Sequence, residues 1–138
     1  MRRTRPFSQV IDSLRGAGLR PTRQRLALAR LLFDGGQRHV TAEILHGEAV
    51  DADIKVSLAT VYNTLHQFNR AGLLQEIVVE AGRSYFDTNM SEHHHIFDED
   101  RRELTDIKEG QITLSGLPEI SDKQEIKRID VILRVKNI

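Results

Sequence analysis

The stretch Ser57-Leu-Ala-Thr-Val-Tyr-Asn-Thr-Leu-His-Gln-Phe-Asn-Arg-Ala-Gly-Leu73 has the pattern of an amphipathic helix. Its apolar residues recur at helical spacing, at Leu58, Val61, Leu65 and Phe68. Ser57 is a suitable N-cap, because its hydroxyl can accept a hydrogen bond from a free amide of the first turn. Gly72 can take the left-handed conformation that ends a helix. We therefore predict a helix between Ser57 and Gly72.

The remaining face of this helix is small and polar. It consists of Ala59, Thr60, Tyr62, Asn63, His66 and Gln67. No acidic residue occurs between Leu58 and Leu73, whereas a solvated helix face normally mixes glutamate with lysine. Such a face can lie against a polyanion and reach base edges with Tyr62 and Asn63. An ordinary half-buried helix is the alternative that this stretch alone leaves open.

Three further helical patterns precede this stretch. The first uses Phe7, Val10, Ile11 and Leu14, and the second covers 26–33. Thr41 is a suitable N-cap for the third, in which we expect Ile44 and Leu45 to point inward. A helix, a turn and a polar-faced second helix form the helix-turn-helix arrangement, in which the second helix enters the major groove of DNA.

Residues 74–79 and 83–87 have the pattern of two strands joined by a tight turn. After a helix-turn-helix, such a hairpin is the wing of a winged helix, and it would hold Arg83 near the phosphate backbone. Arg20 and Arg23 are further candidates for phosphate contacts, although a solvated surface explains any one arginine equally well. We predict a DNA-binding domain over residues 1–87.

The charge of the chain is divided unevenly, although its net charge is zero. Residues 1–75 contain 11 Lys and Arg against 6 Asp and Glu, a balance of +5. Residues 76–138 contain 9 against 14, a balance of −5. The first half is therefore suited to an anion such as DNA, and the second half to cations.

Residues 88–138 form a second predicted domain with short strands at 93–98, 103–107 and 129–135 and a short helix within 116–124. A piece this small, without cysteine, cannot readily build a core of its own. We therefore predict that it pairs with a copy of itself. A homodimer also suits a helix-turn-helix protein, which usually reads two half-sites of operator DNA.

Glu92-His93-His94-His95 is the densest set of metal-ligand residue types in the chain. In an extended segment, His93 and His95 share one face and His94 points the other way. If 99–102 is a four-residue turn, residue 95 pairs with residue 106, which brings Asp106 next to His95. Two imidazoles and a carboxylate on one side of a hairpin are a plausible beginning of a metal site.

Other residues can complete this site from the first domain. Asp87 ends the wing, His39 lies in a short extended piece, and Glu80 is a spare carboxylate. Imidazole and carboxylate ligands without sulfur suit Fe(II), Mn(II) or Zn(II). Haem is a second possibility, with His93, His94 and His95 as candidate axial ligands. A polar surface loop without any ligand is the third.

Composition excludes several classes of protein. The absence of cysteine excludes disulfides, thiolate zinc sites and a cysteine nucleophile. No apolar run is long enough to cross a bilayer, and no signal-peptide pattern follows the basic start. We expect a cytoplasmic protein with no membrane partner.

The chain resembles the ferric uptake regulator superfamily of metal-responsive repressors. The resemblance rests on Gly18-Leu-Arg-Pro-Thr-Arg-Gln-Arg25, His39-Val-Thr-Ala-Glu43, Leu58-Ala-Thr-Val-Tyr-Asn-Thr-Leu65, Phe68-Asn-Arg-Ala-Gly-Leu73 and the His-X-His of 93–95. It implies an α+β fold, with an N-terminal winged helix-turn-helix followed by a small α/β dimerisation domain. It also implies metal-controlled binding to palindromic promoter sites.

The resemblance assigns residues to both functions. The ligands of peroxide-sensing members match His39, Asp87, His93, His95 and Asp106, with Glu80 as a lesser candidate from ferric-uptake members. DNA contacts map to the segment from Ser57 to Asn63, which includes Ala59 and Thr60, with Tyr62 against thymine methyl groups. Arg20 and Arg23 fall where basic residues meet the DNA backbone.

One departure concerns structural zinc, since the Cys-X-X-Cys pairs of most members are absent. A cysteine-free dimerisation domain with three histidines resembles the iron response regulator branch, which senses iron through haem and controls haem synthesis and iron uptake genes. Two readings stay open within the family: a haem-responsive regulator, and a repressor that senses Fe(II), Mn(II) or peroxide directly. Outside it, a metal-dependent hydrolase or haem enzyme and a metal-buffering protein are remote alternatives.

Overall fold

A computed structural model describes residues 7–138, with side chains from residue 9 onward. The basic start and the Phe7 side chain, which belong to the predicted first domain, lie outside this description. The described chain divides into two compact units, one ending at Met90 and the other formed by Ser91–Ile138. Over the described residues, no helix is both long and apolar enough to span a membrane.

The first unit contains four helices and a small sheet. The elements are α1 (Phe7–Gly16), α2 (Arg23–Phe33), β1 (His39–Val40), α3 (Ala42–Asp51), α4 (Leu58–Arg70), β2 (Gln75–Glu80) and β3 (Arg83–Asp87). Helix, helix, polar-faced helix and hairpin follow one another as a winged helix-turn-helix does, as predicted. The core is a single apolar cluster to which all four helices and strands β1 and β3 contribute.

Helix α4 is anchored by Val61, Leu65 and Phe68, each of which is fully buried. Ser57 caps it as predicted, because its hydroxyl accepts a hydrogen bond from the amide of Thr60. Gly72 follows the helix with a φ of +81°, the left-handed conformation that glycine adopts without strain. The predicted apolar stripe therefore fixes which face of α4 is buried.

Two predicted core positions are wrong. Leu58 is 42% exposed, because it lies in the first turn of α4. The buried face of α4 includes Thr64, which was not predicted. Ile44 is 45% exposed, since Ala42, Leu45 and Ala49 define the buried face of α3 and Ile44 lies beside that face. The N-cap at Thr41 is correct, and its hydroxyl accepts from the amide of Ile44.

The sheet of the first unit is antiparallel, in the order β1-β3-β2. Gly82 has a φ of +72° in the tight turn between β2 and β3, which confirms the predicted hairpin. Strand β3 lies in the middle, so that Asp87 faces His39 on one side and Gln75 on the other. The short strand at His39 thus places that histidine beside the end of the wing.

The second unit is built on three strands, β4 (His95–Asp98), β5 (Glu103–Asp106) and β6 (Ile132–Val135), in the order β5-β4-β6. The register of β4 and β5 is the predicted one, with His95 opposite Asp106. Strand β6 pairs in parallel with β4. All three strands are shorter than predicted.

No helix forms within the described residues 91–138, so the predicted short helix within 116–124 is wrong. Gly116 has a φ of +72°, and Pro118 lacks an amide hydrogen for a helical bond. Only a single turn is present there, closed by a bond from the Gln124 amide to the Ser121 carbonyl. The segment is solvated instead of packed.

The boundary between the units falls after Met90, whereas we predicted it after Asp87. Hydrogen bonds explain the difference. The amide of Thr88 donates to the carbonyl of Arg38, and the side chain of Gln75 donates to the carbonyl of Asn89. These bonds extend the pairing of the first sheet beyond the wing.

Candidate metal centre and nucleic-acid interface

His93, His95 and Asp106 form a compact group in the second unit, here called the histidine–aspartate group. Nε2 of His93 lies 3.0 Å from Oδ1 of Asp106, and Nε2 of His95 lies 3.3 Å from the same oxygen. Their ligand atoms lie within 4.8 Å of one another. The predicted register produces this arrangement, since His95 and Asp106 are direct cross-strand partners.

The hydrogen bonds of His93 fix which of its nitrogens can bind a metal. Nδ1 lies 2.7 Å from the carbonyl oxygen of Ser91, which can only accept, so the Nδ1–H donates there. The neutral ring then carries its lone pair on Nε2, which faces a carboxylate oxygen of Asp106. Two electron-pair donors face each other favourably only when a proton or a metal cation lies between them.

The exposure of the group also suits a bound ion. The side chains of His93 and His95 are 7% and 3% exposed, whereas that of Asp106 is 39% exposed. An ion can therefore reach the group past Asp106, while the imidazoles stay shielded from water. Two imidazole nitrogens and one carboxylate oxygen are a donor set that fits Fe(II), Mn(II) or Zn(II).

His94 faces away from the group and has a structural role. Its Nδ1 accepts a hydrogen bond of 3.1 Å from the amide of Val131, which leads into β6. A neutral ring with its Nδ1 lone pair used in this way carries its proton on Nε2 and offers no lone pair to a metal. The prediction of His94 as a haem ligand is therefore not supported by its hydrogen bonding.

His39 and Asp87 form a second pair of ligand-type residues, within the first unit. Nε2 of His39 lies 3.1 Å from Oδ2 of Asp87, whose side chain is 1% exposed. The other carboxylate oxygen accepts from the amide of Asn89. Burying a carboxylate requires such partners. The pairing of β1 with β3 brings the two residues together.

Glu80 lies at the opposite end of the wing from Asp87, so the structure does not join it to the His39–Asp87 pair. It opposes Arg83 at the turn, and Asp87 lies four residues further along β3, about 13 Å away at the usual rise of a strand. Glu80 is 3.4 Å from the guanidinium of Arg83 instead. The placement of Glu80 therefore does not support its role as the lesser predicted ligand.

The predicted DNA-contacting residues lie on the exposed side of the first unit. Ser57, Ala59, Tyr62 and Asn63 of α4 are exposed and Thr60 is half-buried; we call these five residues the reading face. Arg20 is exposed between α1 and α2, Arg23 is exposed at the start of α2, and Arg83 is half-buried in the wing. The hydroxyls of Ser57 and Thr60 bond to each other, which orders the first turn of the face.

Two contacts behind the reading face were not predicted from the sequence. The guanidinium of Arg25 donates to the side-chain carbonyl of Gln67 and to the backbone carbonyl of Arg20, which ties α2 to α4. The ring of His66 packs against that of Tyr62. Tyr62 and His66 are one helical turn apart, and this spacing could have predicted the contact between their rings.

Residues 16–136 of the chain match the sequence model of the ferric uptake regulator family. The chain belongs to the ferric uptake regulator family. It is 36% identical over 108 residues to the ferric uptake regulation protein of Rhizobium leguminosarum bv. viciae, which covers 78% of this chain and 70% of that protein. It is also 38% identical over 82 residues to the ferric uptake regulation protein of Shigella flexneri. That alignment covers 59% of this chain and 55% of the Shigella protein.

A solved structure of a ferric uptake regulator agrees with the fold. The regulator from Pseudomonas aeruginosa, solved with manganese, superposes with a TM-score of 0.70 at 27% identity, over 91% of this chain and 96% of that chain. Members of the ferric uptake regulator family are metal-responsive transcription regulators that bind DNA. The chain is therefore a regulator, and the predicted alternative of a hydrolase or haem enzyme is wrong.

Proposed function

We propose that this protein binds palindromic operator DNA as a homodimer in the cytoplasm and controls iron uptake and haem synthesis genes in response to iron or haem. The observation that carries the proposal is the histidine–aspartate group, in which two shielded imidazoles and a carboxylate face one point. The reading face of α4, which has no acidic residue, supports the DNA-binding half of the proposal.

The proposed DNA contacts divide into two kinds. Tyr62, which is 47% exposed, and Asn63 can reach base edges in the major groove, whereas Ser57, Ala59 and Thr60 allow close approach of the helix. The arginines Arg20, Arg23 and Arg83 contact phosphates and carry no sequence information directly. Separate substitutions can therefore distinguish selectivity from affinity.

Tyr62→Ala is expected to lower the ratio of affinities for a selected and a scrambled duplex by about tenfold, since base contacts carry discrimination. Arg23→Ala is expected to weaken both duplexes alike and to reduce the salt dependence of binding by about one released counterion. The selected duplex is one that the wild-type protein enriches from a randomised pool. Fluorescence anisotropy across a salt series then measures the affinity ratio and the salt dependence of binding. Arg101→Ala, an exposed arginine of the second unit, is the charge-matched control. Equal binding of both duplexes by the wild-type protein would refute the proposal.

The proposed ligand set for the metal is His39, Asp87, His93, His95 and Asp106. The histidine–aspartate group supplies three donors, which leaves positions open in the five- or six-coordinate shells common for Fe(II) and Mn(II). The His39–Asp87 pair has the matching chemistry, one imidazole and one carboxylate. These five positions match the ligands of the peroxide-sensing members of the family. The proposal covers a peroxide sensor and also a direct sensor of Fe(II) or Mn(II).

The proposed dimer involves the second unit. Its sheet leaves the aliphatic residues of β6 and of the preceding segment half-exposed, namely Leu114, Leu117, Ile120, Ile126, Leu133 and Val135. Only Phe97, Leu104 and Ile107 are buried apolar residues in this unit. A unit that buries so few side chains gains stability by covering the rest with a second copy.

Haem is a second candidate ligand, as in the iron response regulator branch. The observation in its favour is a cavity of about 400 Å³ beside His93, with aliphatic walls from Ile107, Ile126 and Ile129; its charged lining residues are Lys108, Lys127 and Arg128 together with Glu92 and Glu109. The aliphatic walls suit a flat porphyrin, and the lysines can pair with its two carboxylates, whereas the two glutamates oppose them. The hydrogen bonding of His94 counts against it, so we favour the metal.

If haem is the ligand, His93→Ala/His94→Ala is expected to abolish the Soret shift seen when the wild-type protein is titrated with haem. Both residues line the cavity, and they are the two imidazoles among its lining residues. An unchanged titration in the double variant would remove the cluster from the haem proposal. The Glu92→Ala variant, which alters the same cavity without removing an imidazole, is the control.

A further inference from the structure

We propose that His66 is the residue that positions the Tyr62 ring on the reading face, by holding it to Phe86 in the core of the first unit. This inference rests on the proposed function, since it concerns how one base-contacting side chain is prepared for DNA. It assigns a role to a residue that itself lies behind the reading face.

Three rings form a continuous row from the surface to the core. The ring centroids of Tyr62 and His66 are 4.5 Å apart with an interplanar angle of 60°. Those of His66 and Phe86 are 5.3 Å apart at 89°, an edge-to-face contact. Tyr62 is 47% exposed, His66 is half-buried and Phe86 is fully buried. Both geometries are favourable for aromatic pairs.

Phe86 is a rigid support for this row. It lies in β3, the middle strand of its sheet, and pairs with Val40 of β1 on one side and with Glu76 of β2 on the other. Because both neighbours fix the backbone, the Phe86 ring holds His66 in one place. Tyr62 and His66 are also one turn apart on α4, so that their side chains lie over one another.

The support matters because an exposed tyrosine on a helix otherwise samples several rotamers. Ordering such a side chain on binding costs affinity, and the cost falls when the ring is already held in its bound orientation. His66 therefore raises the selectivity that Tyr62 provides without touching DNA itself. Removal of the imidazole is expected to lower the selected-to-scrambled affinity ratio by about fivefold.

A double-mutant cycle tests this inference. His66→Ala is expected to lower the affinity ratio in the wild-type background and to add nothing in the Tyr62→Ala background, because its effect passes through the Tyr62 ring. His66→Phe, which keeps a ring at the position, is expected to restore most of the ratio. Additive losses in the double variant, or an unchanged ratio in His66→Ala, would overturn the inference.

A measurement without DNA separates this inference from the proposed function. The chain has two tyrosines and no tryptophan, so in a Tyr85→Phe background Tyr62 is the sole fluorophore of this class. His66→Ala is expected to lower the steady-state anisotropy of Tyr62 and lengthen its lifetime, since the ring becomes mobile and loses a contact quencher. Unchanged anisotropy and lifetime would refute the ring contact even if the protein binds DNA. A wild-type protein without DNA selectivity but with the fluorescence change would refute the regulator proposal alone.

Discussion

Asp106→Ala weakens binding of Mn(II) to the purified protein by about 100-fold or more, if the proposed ligand set is correct. The reason is the position of one oxygen. Oδ1 of Asp106 lies within 3.3 Å of Nε2 of both His93 and His95, so its loss removes a donor and the charge that attracts a cation between the two imidazoles. Isothermal titration calorimetry with Mn(II), which is stable in air, measures the change directly.

Two control variants make this experiment specific. Glu103→Ala removes a carboxylate from the same strand, but residue 103 points to the opposite face of β5 from residue 106. His94→Ala removes the histidine that accepts from the Val131 amide and lies outside the group. We expect both to bind Mn(II) within about threefold of wild type. Equal losses in Glu103→Ala and Asp106→Ala, or full affinity in Asp106→Ala, would contradict the proposed site.

Phe68→Ala is expected to lower the free energy of unfolding by about 3–5 kcal/mol, which is typical of removing a large buried aromatic side chain. The Phe68 side chain is fully buried, and its ring centroid lies 6.2 Å from that of Phe33 in α2. It therefore packs α4 against α2. Urea unfolding followed by far-ultraviolet circular dichroism reports this loss, because all described helices belong to the first unit.

Tyr62→Ala on the same helix is the matched comparison. Its side chain is 47% exposed, so we expect its removal to change the free energy of unfolding by no more than about 0.5 kcal/mol, apart from the energy of its ring contact with His66. We therefore expect Phe68 to contribute mainly to stability and Tyr62 mainly to DNA selectivity. A loss of stability in Tyr62→Ala as large as that in Phe68→Ala would show that the reading face belongs to the core.

The sequence allowed prediction of features that depend on neighbouring residues. The β4–β5 register could be predicted because a short turn determines it, and the structure shows how: Oδ1 of Asp98 accepts from the amides of Asp100 and Arg101, and Arg102 takes a φ of +54°. The cap at Ser57 and the stop at Gly72 are equally local.

Features that depend on distant residues were not predictable in the same way. Strand β6 adds to β4 across an intervening segment without regular structure, so no spacing rule indicated its parallel pairing or its bond to His94. The stack on Phe86 likewise depends on a strand that follows α4 in the chain.

The order of strands in the second sheet determines when each unit can fold during synthesis. The first unit is complete once Met90 has left the ribosome, whereas the central strand β4 gains its second neighbour only after residues 132–135 emerge. The nascent chain can therefore complete its helical unit before the sheet of its second unit has closed.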